Sequence, residues 1–319
     1  MPLRICGICH VHCPVKTDIV SQTIITPCWE ATMDSINHPH GRSLLRRLEL
    51  AATNHPTDTA IRFLPTGDIQ PVESRSYGQL RAGALAVGGA LRAQAEAGDR
   101  VILLLSPGPD YFAAVWGCLL SGVQVVPLPV PAQPGLIQLV SNVVKDCAPA
   151  ICLLEASAPT EWKQLIEQAA PGCHLLTLDQ ALQAEPAPTW PADDPQRPAL
   201  LQYTSGSTGV PKGAVVTHGN IAASIELMLN IADIDPASVV VSWLPIFHNM
   251  GFLSFGLLPL ATGASLVLLP TSQFMLNPAR WFLAISHFRG THSGGPNIGY
   301  ETCLNFLPDP LRGTRDFPS

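Results

Sequence analysis

The sequence predicts an α/β protein, with mixed α/β subdomains whose parallel sheets are flanked by helices. Three observations carry this. Short apolar runs of strand length recur between longer stretches with apolar residues at helical spacing. The run at 101–105 is apolar throughout and that at 123–127 is apolar but for Gln124, as in strands buried on both faces. Strand, helix, strand in succession is the crossover unit of a parallel sheet. The composition agrees: 47% of the 319 residues are hydrophobic and 13% charged, against roughly 25% charged in ordinary globular chains.

Taken in order, the elements read as follows. Residues 43–52 have helical spacing, with Ser43 as N-cap. Ser76 opens a long Ala/Leu-rich helix running to about residue 95. Gly98 and Asp99 form a turn, and 101–105 form a strand. A helix over 111–120 is closed by Gly122. A strand follows over 123–127, and the strand signal repeats at 146–154 and 174–178. Segment 185–198 holds Pro186, Pro188, Pro191, Pro195 and Pro198. So many prolines exclude helix and central strand, and the segment reads as a surface linker between two subdomains. Beyond it come strands at 199–203 and 214–217, and a helix capped by Asn220 running to about Ile231. A strand at 239–243, a helix at 252–260, a strand at 264–269 and a helix at 278–288 complete the pattern. The domain division is an irregular Cys/His-rich segment over 1–40, one large unit over 41–306, and a tail over 307–319.

Several function classes drop out on composition. The net charge is −6, and no basic run offers a nucleic-acid face. Arg4, Lys16 and Asp18 interrupt any apolar leader after Met1. Residues 236–279 carry no charged side chain, and 252–269 approach the length of a membrane span. Gly256, Pro259 and Gly263 punctuate that stretch, so it is read as buried core. Cys118, Cys147, Cys152, Cys173 and Cys303 lie in apolar contexts, as reduced thiols of a cytoplasmic protein do.

The N-terminal segment leaves several readings open. Cys6, Cys9 and His10 fit a c-type haem attachment spacing. Residues 4–9 also resemble the first cysteine pair of a nickel–iron hydrogenase large subunit, but only the lone Cys303 lies near the other end. Cys6, Cys9, Cys13 and Cys28 could chelate zinc. The favoured reading is an incidental segment ahead of a start at Met33, because 1–32 has no periodic core pattern. No metal ligand is assigned.

The most specific feature is the loop at 204–213. Gly206, Gly209 and Gly213 allow backbone conformations closed to other residues, and successive N–H groups in such a turn form an anion nest. Thr204, Ser205, Ser207 and Thr208 add hydroxyl donors, and Lys212 adds a positive charge. The set suits a polyphosphate. It is not a Walker A loop: Lys212 follows Pro211, precedes Gly213, and leads into a strand rather than a helix.

This loop resembles the phosphate-binding signature of the acyl-adenylate-forming (AMP-dependent synthetase/ligase) family. The similarity extends over about 43–303, through 98–105, 117–122 with Val126 and Pro127, and 242–251. Segment 293–300 is similar to one typical of fatty acyl-AMP ligases. The resemblance implies ATP-dependent activation of a fatty acid to acyl-adenylate with release of pyrophosphate, then transfer to an acyl carrier protein or polyketide synthase. It implies ATP and Mg²⁺ as cofactors. Thr204, Ser205, Gly206, Ser207, Thr208, Gly209 and Lys212 would hold the β- and γ-phosphates. His248 would lie near the acyl carboxylate, and Gly294, Gly295 and Pro296 would line the acyl channel. Asn249 stands where fatty acyl-AMP ligases usually carry Asp. The family's adenine motif, magnesium-holding Glu, ribose-gripping Asp and C-terminal catalytic lysine find no match after Cys303. The chain is therefore expected to be a partial adenylation domain with no catalytic residue assigned. The alternative expectation is an inactive fragment that binds only acyl chains or a partner.

Overall fold

Two six-stranded sheets organise the chain. The structure, a computed structural model, describes residues 4–5, 43–187, 194–204 and 211–306. The first sheet comprises β1 (Arg4–Ile5), β2 (Thr59–Phe63), β3 (Glu73–Ser76), β10 (Val239–Ser242), β11 (Ser265–Leu268) and β12 (His292–Ser293). Its order is β1-β12-β10-β11-β2-β3, and every pairing is parallel except β2–β3. The second comprises β4 (Arg100–Leu104), β5 (Gln124–Pro127), β6 (Ile151–Leu154), β7 (His174–Thr177), β8 (Pro198–Thr204) and β9 (Lys212–Thr217). Its order is β7-β6-β4-β5-β8-β9, and it is parallel except for β8–β9.

The helices are α1 (Leu44–Asn54), α2 (Tyr77–Arg92), α3 (Tyr111–Ser121), α4 (Pro134–Cys147), α5 (Thr160–Ala169), α6 (Leu178–Leu182) and α7 (His218–Ala232). A π-helix (Met250–Leu257) runs into α8 (Leu258–Thr262), followed by α9 (Thr271–Leu276), α10 (Ala279–Phe288) and α11 (Asn297–Phe306). Alternate residues of the second sheet face different layers. Val101, Leu103 and Val125 join the large core with α2 and α3. Ile102, Leu104 and Val126 pack with Val140, Val143 and Val144 of α4 and Ile166 of α5. Helix α2 packs on β2 and β3, α3 on β4 and β5, and the two helices pack on each other, joining the sheets. All eleven residues of α3 are buried.

The caps show how sequence sets these boundaries. Ser43 Oγ accepts from the Arg46 N–H at 3.2 Å, as expected. Ser76 and Gln79 form a reciprocal capping box at the start of α2. Ser76→Ala should lower the unfolding free energy by about 1 kcal/mol, measured as a reduced urea midpoint with unchanged slope.

Several expectations need correction. Residues 146–150 are not strand: Asp146 and Cys147 end α4, Ala148 takes the left-handed conformation (φ 42°), and β6 begins at Ile151. The cap of α7 is Thr217, with Asn220 returning the reciprocal bond from the first turn. The apolar stretch at 252–260 is largely π-helical, with the Leu258 N–H bonded to the Leu253 carbonyl. Pro198 is the first residue of β8, an interior strand, at the one position of such a strand where a missing N–H is tolerated. Strands from both sides of 185–198 enter the same sheet, so that segment connects two strands rather than two sheets. The predicted 1–40 segment, apart from β1, and the 307–319 tail lie outside the described residues, as do Cys6, Cys9, His10, Cys13, Cys28 and Met33.

Among the described residues all five cysteines are free thiols. Burial pushes the Cys147 thiol up to about 12 and those of Cys173 and Cys303 up to about 11. A raised acid in the folded state means the unfolded chain releases its proton first. This contribution is fully present below the ordinary thiol value of 9.0 and is lost as pH rises towards 11–12. The urea midpoint should therefore fall above pH 9, and Cys147→Ala should flatten that fall. Among the described residues no helix is long and apolar enough to cross a membrane.

Candidate functional site

Parallel strands deliver their following segments to one edge of a sheet, which is where ligands of open α/β sheets bind. Strands β10 and β12 are adjacent and parallel, with Val240 beside His292 and Val241 beside Ser293. Segment 243–249 after β10 and segment 294–296 after β12 therefore leave at the same edge. Strand β8 of the other sheet ends at Thr204. One hydrogen bond ties these ends together: Gln202 Nε2 on β8 donates to the Phe247 carbonyl at 3.4 Å.

The predicted phosphate loop connects β8 and β9. Thr204 and Lys212 face each other as a cross-strand pair, so both ends of the loop are fixed on one rung of the ladder. Lys212 is exposed. Ser205, Gly206, Ser207, Thr208 and Gly209 lie outside the described residues. Gly213 proves to belong to β9 rather than to the turn. It pairs with Tyr203, and a Cβ there would lie 2.9 Å from Leu201 Cδ1 and 3.0 Å from Tyr203 Cζ. Its lack of a side chain admits the Tyr203 ring. That ring's hydroxyl donates to the Asp146 carboxylate, and burial together with this bond raises the phenol.

His248 is exposed. Its N–H donates to the Pro245 carbonyl at 3.0 Å, and its own carbonyl accepts from the Phe252 N–H at 2.7 Å. It thus sits on the turn that launches the π-helix, a winding often found at functional sites. Asn249 is exposed beside it. A Cβ on Gly251 would lie 2.3 Å from the Pro245 carbonyl oxygen, so only glycine lets the helix start this close to the turn.

Gly294 is buried, Gly295 half-buried and Pro296 exposed, in the segment between β12 and α11. The space left by Gly295 is not empty. A Cβ there would lie 2.9 Å from Trp243 Cζ2, and one on Gly299 would lie 2.5 Å from the same atom. Trp243 in turn stacks on Phe274, with centroids 3.7 Å apart. Ser293 Oγ donates to the Val241 carbonyl and accepts from Trp281 Nε1, each at 2.7 Å. Gln202, Trp243 and Trp281 are thus parts of the site that sequence patterning alone does not single out. Only Trp243 lies inside a motif segment that does stand out.

Behind β12 lies a small apolar cavity of about 60 Å³, lined by Met228, Ile231, Phe255, Leu258, His292 and Ser293 among others. His292 is held by Ala232 and Thr291: its Nε2 lies 2.7 Å from the Ala232 carbonyl and its Nδ1 2.8 Å from Thr291 Oγ1. Among the described residues no group of three or more His, Cys, Asp or Glu side chains gathers to hold a metal ion. The described residues therefore offer magnesium no protein-built cage.

Exposed Lys212 at the start of β9 and exposed His248 on the turn after β10 thus flank strand ends that the Gln202–Phe247 bond ties together, on an α/β scaffold of two mixed sheets. Residues 48–319 match the AMP-binding enzyme family, and the chain belongs to that family. It is similar to a medium-chain-fatty-acid–acyl-carrier-protein ligase of Moorena producens, 29% identical over 89% of this chain and 49% of the relative. It is also similar to a 4-hydroxyphenylalkanoate adenylyltransferase of Mycobacterium marinum, 33% identical over 84% of this chain and 44% of the relative. A fatty acyl-adenylate ligase from Legionella pneumophila, solved in complex with acyl adenylate and pyrophosphate, superposes with a TM-score of 0.73. It is 28% identical and the match covers 85% of this chain and 47% of that one. The chain spans about half the length of the curated relatives it matches.

Proposed function

We propose that the chain takes part in ATP-dependent activation of a fatty acid to its acyl-adenylate, for delivery to an acyl carrier protein or polyketide synthase in the cytoplasm. The observation that carries this reading is the Gln202–Phe247 bond, which joins the strand leading into the phosphate loop to the turn bearing His248. In the reaction a carboxylate oxygen bonds to the α-phosphorus of ATP, the bond from that phosphorus to the bridging oxygen breaks, and pyrophosphate leaves. ATP supplies the activated phosphorus when bound. The chain's own residues position and neutralise, which is how such transfers are mainly accelerated. Backbone N–H groups and hydroxyls of Thr204, Ser205, Gly206, Ser207, Thr208 and Gly209, with Lys212, would hold the β- and γ-phosphates. His248 would orient the carboxylate, Gly294, Gly295 and Pro296 would flank the acyl entrance, and the apolar cavity behind β12 would take part of the tail.

The substrate and acceptor classes draw on the relatives: one is a fatty-acid–carrier-protein ligase and another structure holds acyl adenylate with pyrophosphate. A second reading is acyl binding without turnover, which the small apolar cavity behind β12 supports. Pyrophosphate–ATP exchange with dodecanoic acid tests both. The first reading expects exchange, and Lys212→Ala should cut it about tenfold or more, the worth of one charge-assisted contact. Absence of exchange with every chain length, alongside retained fatty-acid binding, would leave the second.

A further inference from the structure

Trp243 begins the His248 arm of the site and its side chain touches the other arm, and nothing above gives it a role. It is the first residue after β10 and only 4% exposed. One face stacks on Phe274 at 3.7 Å and 17°, and an edge meets Trp281 at 5.7 Å. Thr271 Oγ1 donates to its backbone carbonyl at 2.9 Å, fixing the main chain as well. The rim of the indole lies where side chains of residues 295 and 299 would otherwise be. A Cβ on Gly295 would stand 2.9 Å from Cζ2 and 3.5 Å from Nε1, and one on Gly299 2.5 Å from Cζ2. Among the described residues the buried Nε1 finds no hydrogen-bond partner, which costs free energy. A phenylalanine could fill the stack on Phe274 without stranding an N–H. What the indole adds is its outer rim, and that rim is what Gly295 and Gly299 receive.

We propose that Trp243 is a positioning residue that spaces the His248 arm from the 294–296 arm, and that Gly295 and Gly299 are glycine in order to seat its indole. The role at an acyl entrance rests on the function proposed above; the mechanical coupling does not. Only four residues separate Trp243 from His248, and they are held tightly. The Pro245 carbonyl accepts the His248 N–H at 3.0 Å and abuts Gly251. A displaced indole therefore moves His248. On this view Gly295 is small to fit a tryptophan, and the entrance width is set by the indole rather than by empty space beside the glycine.

The test uses the full chain with ¹³C-labelled histidine rings, the His248 resonance being assigned with His248→Gln. Gly295→Ala is expected to shift that resonance, and Gly295→Ala/Trp243→Phe to return it towards wild type, because the smaller ring vacates the space the new methyl needs. Gly290→Ala crowds Val241 Cγ2 at 2.7 Å beneath the same strand and should leave His248 in place. Should Gly295→Ala not fold, Trp243→Phe alone opens the gap and moves the same resonance. A His248 signal indifferent to these changes, or moved equally by Gly290→Ala, overturns the proposal. Equilibrium binding of dodecanoyl sulfamoyl-adenosine judges the functional reading separately, since wild type either binds it or does not. In a wild type that binds, Gly295→Ala weakens affinity about tenfold and the double variant recovers it. An affinity untouched by Gly295→Ala overturns the positioning role.

Discussion

Trp281→Ala is expected to lower the unfolding free energy by about 3–5 kcal/mol, the usual range for deleting a buried large aromatic. The side chain is among the largest fully buried ones and lies on α10, which packs against β10. It meets Trp243 and Phe274 edge-on, stacks on Phe282 at 5.3 Å and touches Tyr300 of α11. Removing it leaves a void bordered by rings that cannot collapse inward without breaking their own stacks. It also takes the N–H donor from Ser293 Oγ, although that hydroxyl keeps its bond to the Val241 carbonyl. Trp281→Phe separates the contributions: it retains most of the volume and loses the hydrogen bond, and should cost about 1–2 kcal/mol. Urea unfolding followed by far-ultraviolet circular dichroism reads both. Equal losses for the two variants would show that the N–H, not the volume, matters.

Gly117→Leu should destabilise by about 3 kcal/mol or more, at the top of the overpacking range. Gly117 sits on α3 where it crosses α2. A Cβ there would lie 2.6 Å from both Cβ and Cγ1 of Val87 and 2.9 Å from the Ala84 carbonyl oxygen. A side chain can turn aside, but a helical carbonyl cannot, so the two helices would have to separate. They join the sheets, so separation would loosen the large core on both sides. Val87→Ala in the Gly117→Ala background should recover part of the smaller loss, and a double-mutant cycle would measure the coupling. Additive effects would mean the helices part without regard to Val87.

Much of this architecture is legible in the sequence, because its elements are set by local chemistry. Ser43 and Ser76 are side chains that favour N-caps, and Gly122 adopts the left-handed conformation (φ 83°) that closes α3. The parallel strands β4 and β5 read as apolar runs because both faces are covered. Other features depend on neighbours distant in sequence. Strand β3, with the pattern Glu-Ser-Arg-Ser, has no apolar period and is held by pairing to β2. The reach of α4 to Cys147 hides a helix end inside what looks like one apolar run. At the site, the residue types of the phosphate loop stand out on their own. The occupation of the Gly295 space by Trp243 does not, since it follows from two parallel strands lying side by side.

The two sheets differ in a way that bears on how the chain is made. All strands of the second sheet fall between residues 100 and 217 without interruption. The first sheet is split: Ile61 of β2 pairs with Leu266 of β11, far later in the chain. On a translating ribosome, the second sheet can close as soon as its hairpin emerges, whereas the β2–β3 pair waits for its neighbour for roughly 10–40 s at ordinary elongation rates. During that interval Ala60, Ile61 and Phe63, all buried in the finished fold, have no partner sheet to cover them. Nascent-chain crosslinking should find holding chaperones on this early hairpin until β10 and β11 arrive, and find them absent from the second sheet once β9 is made.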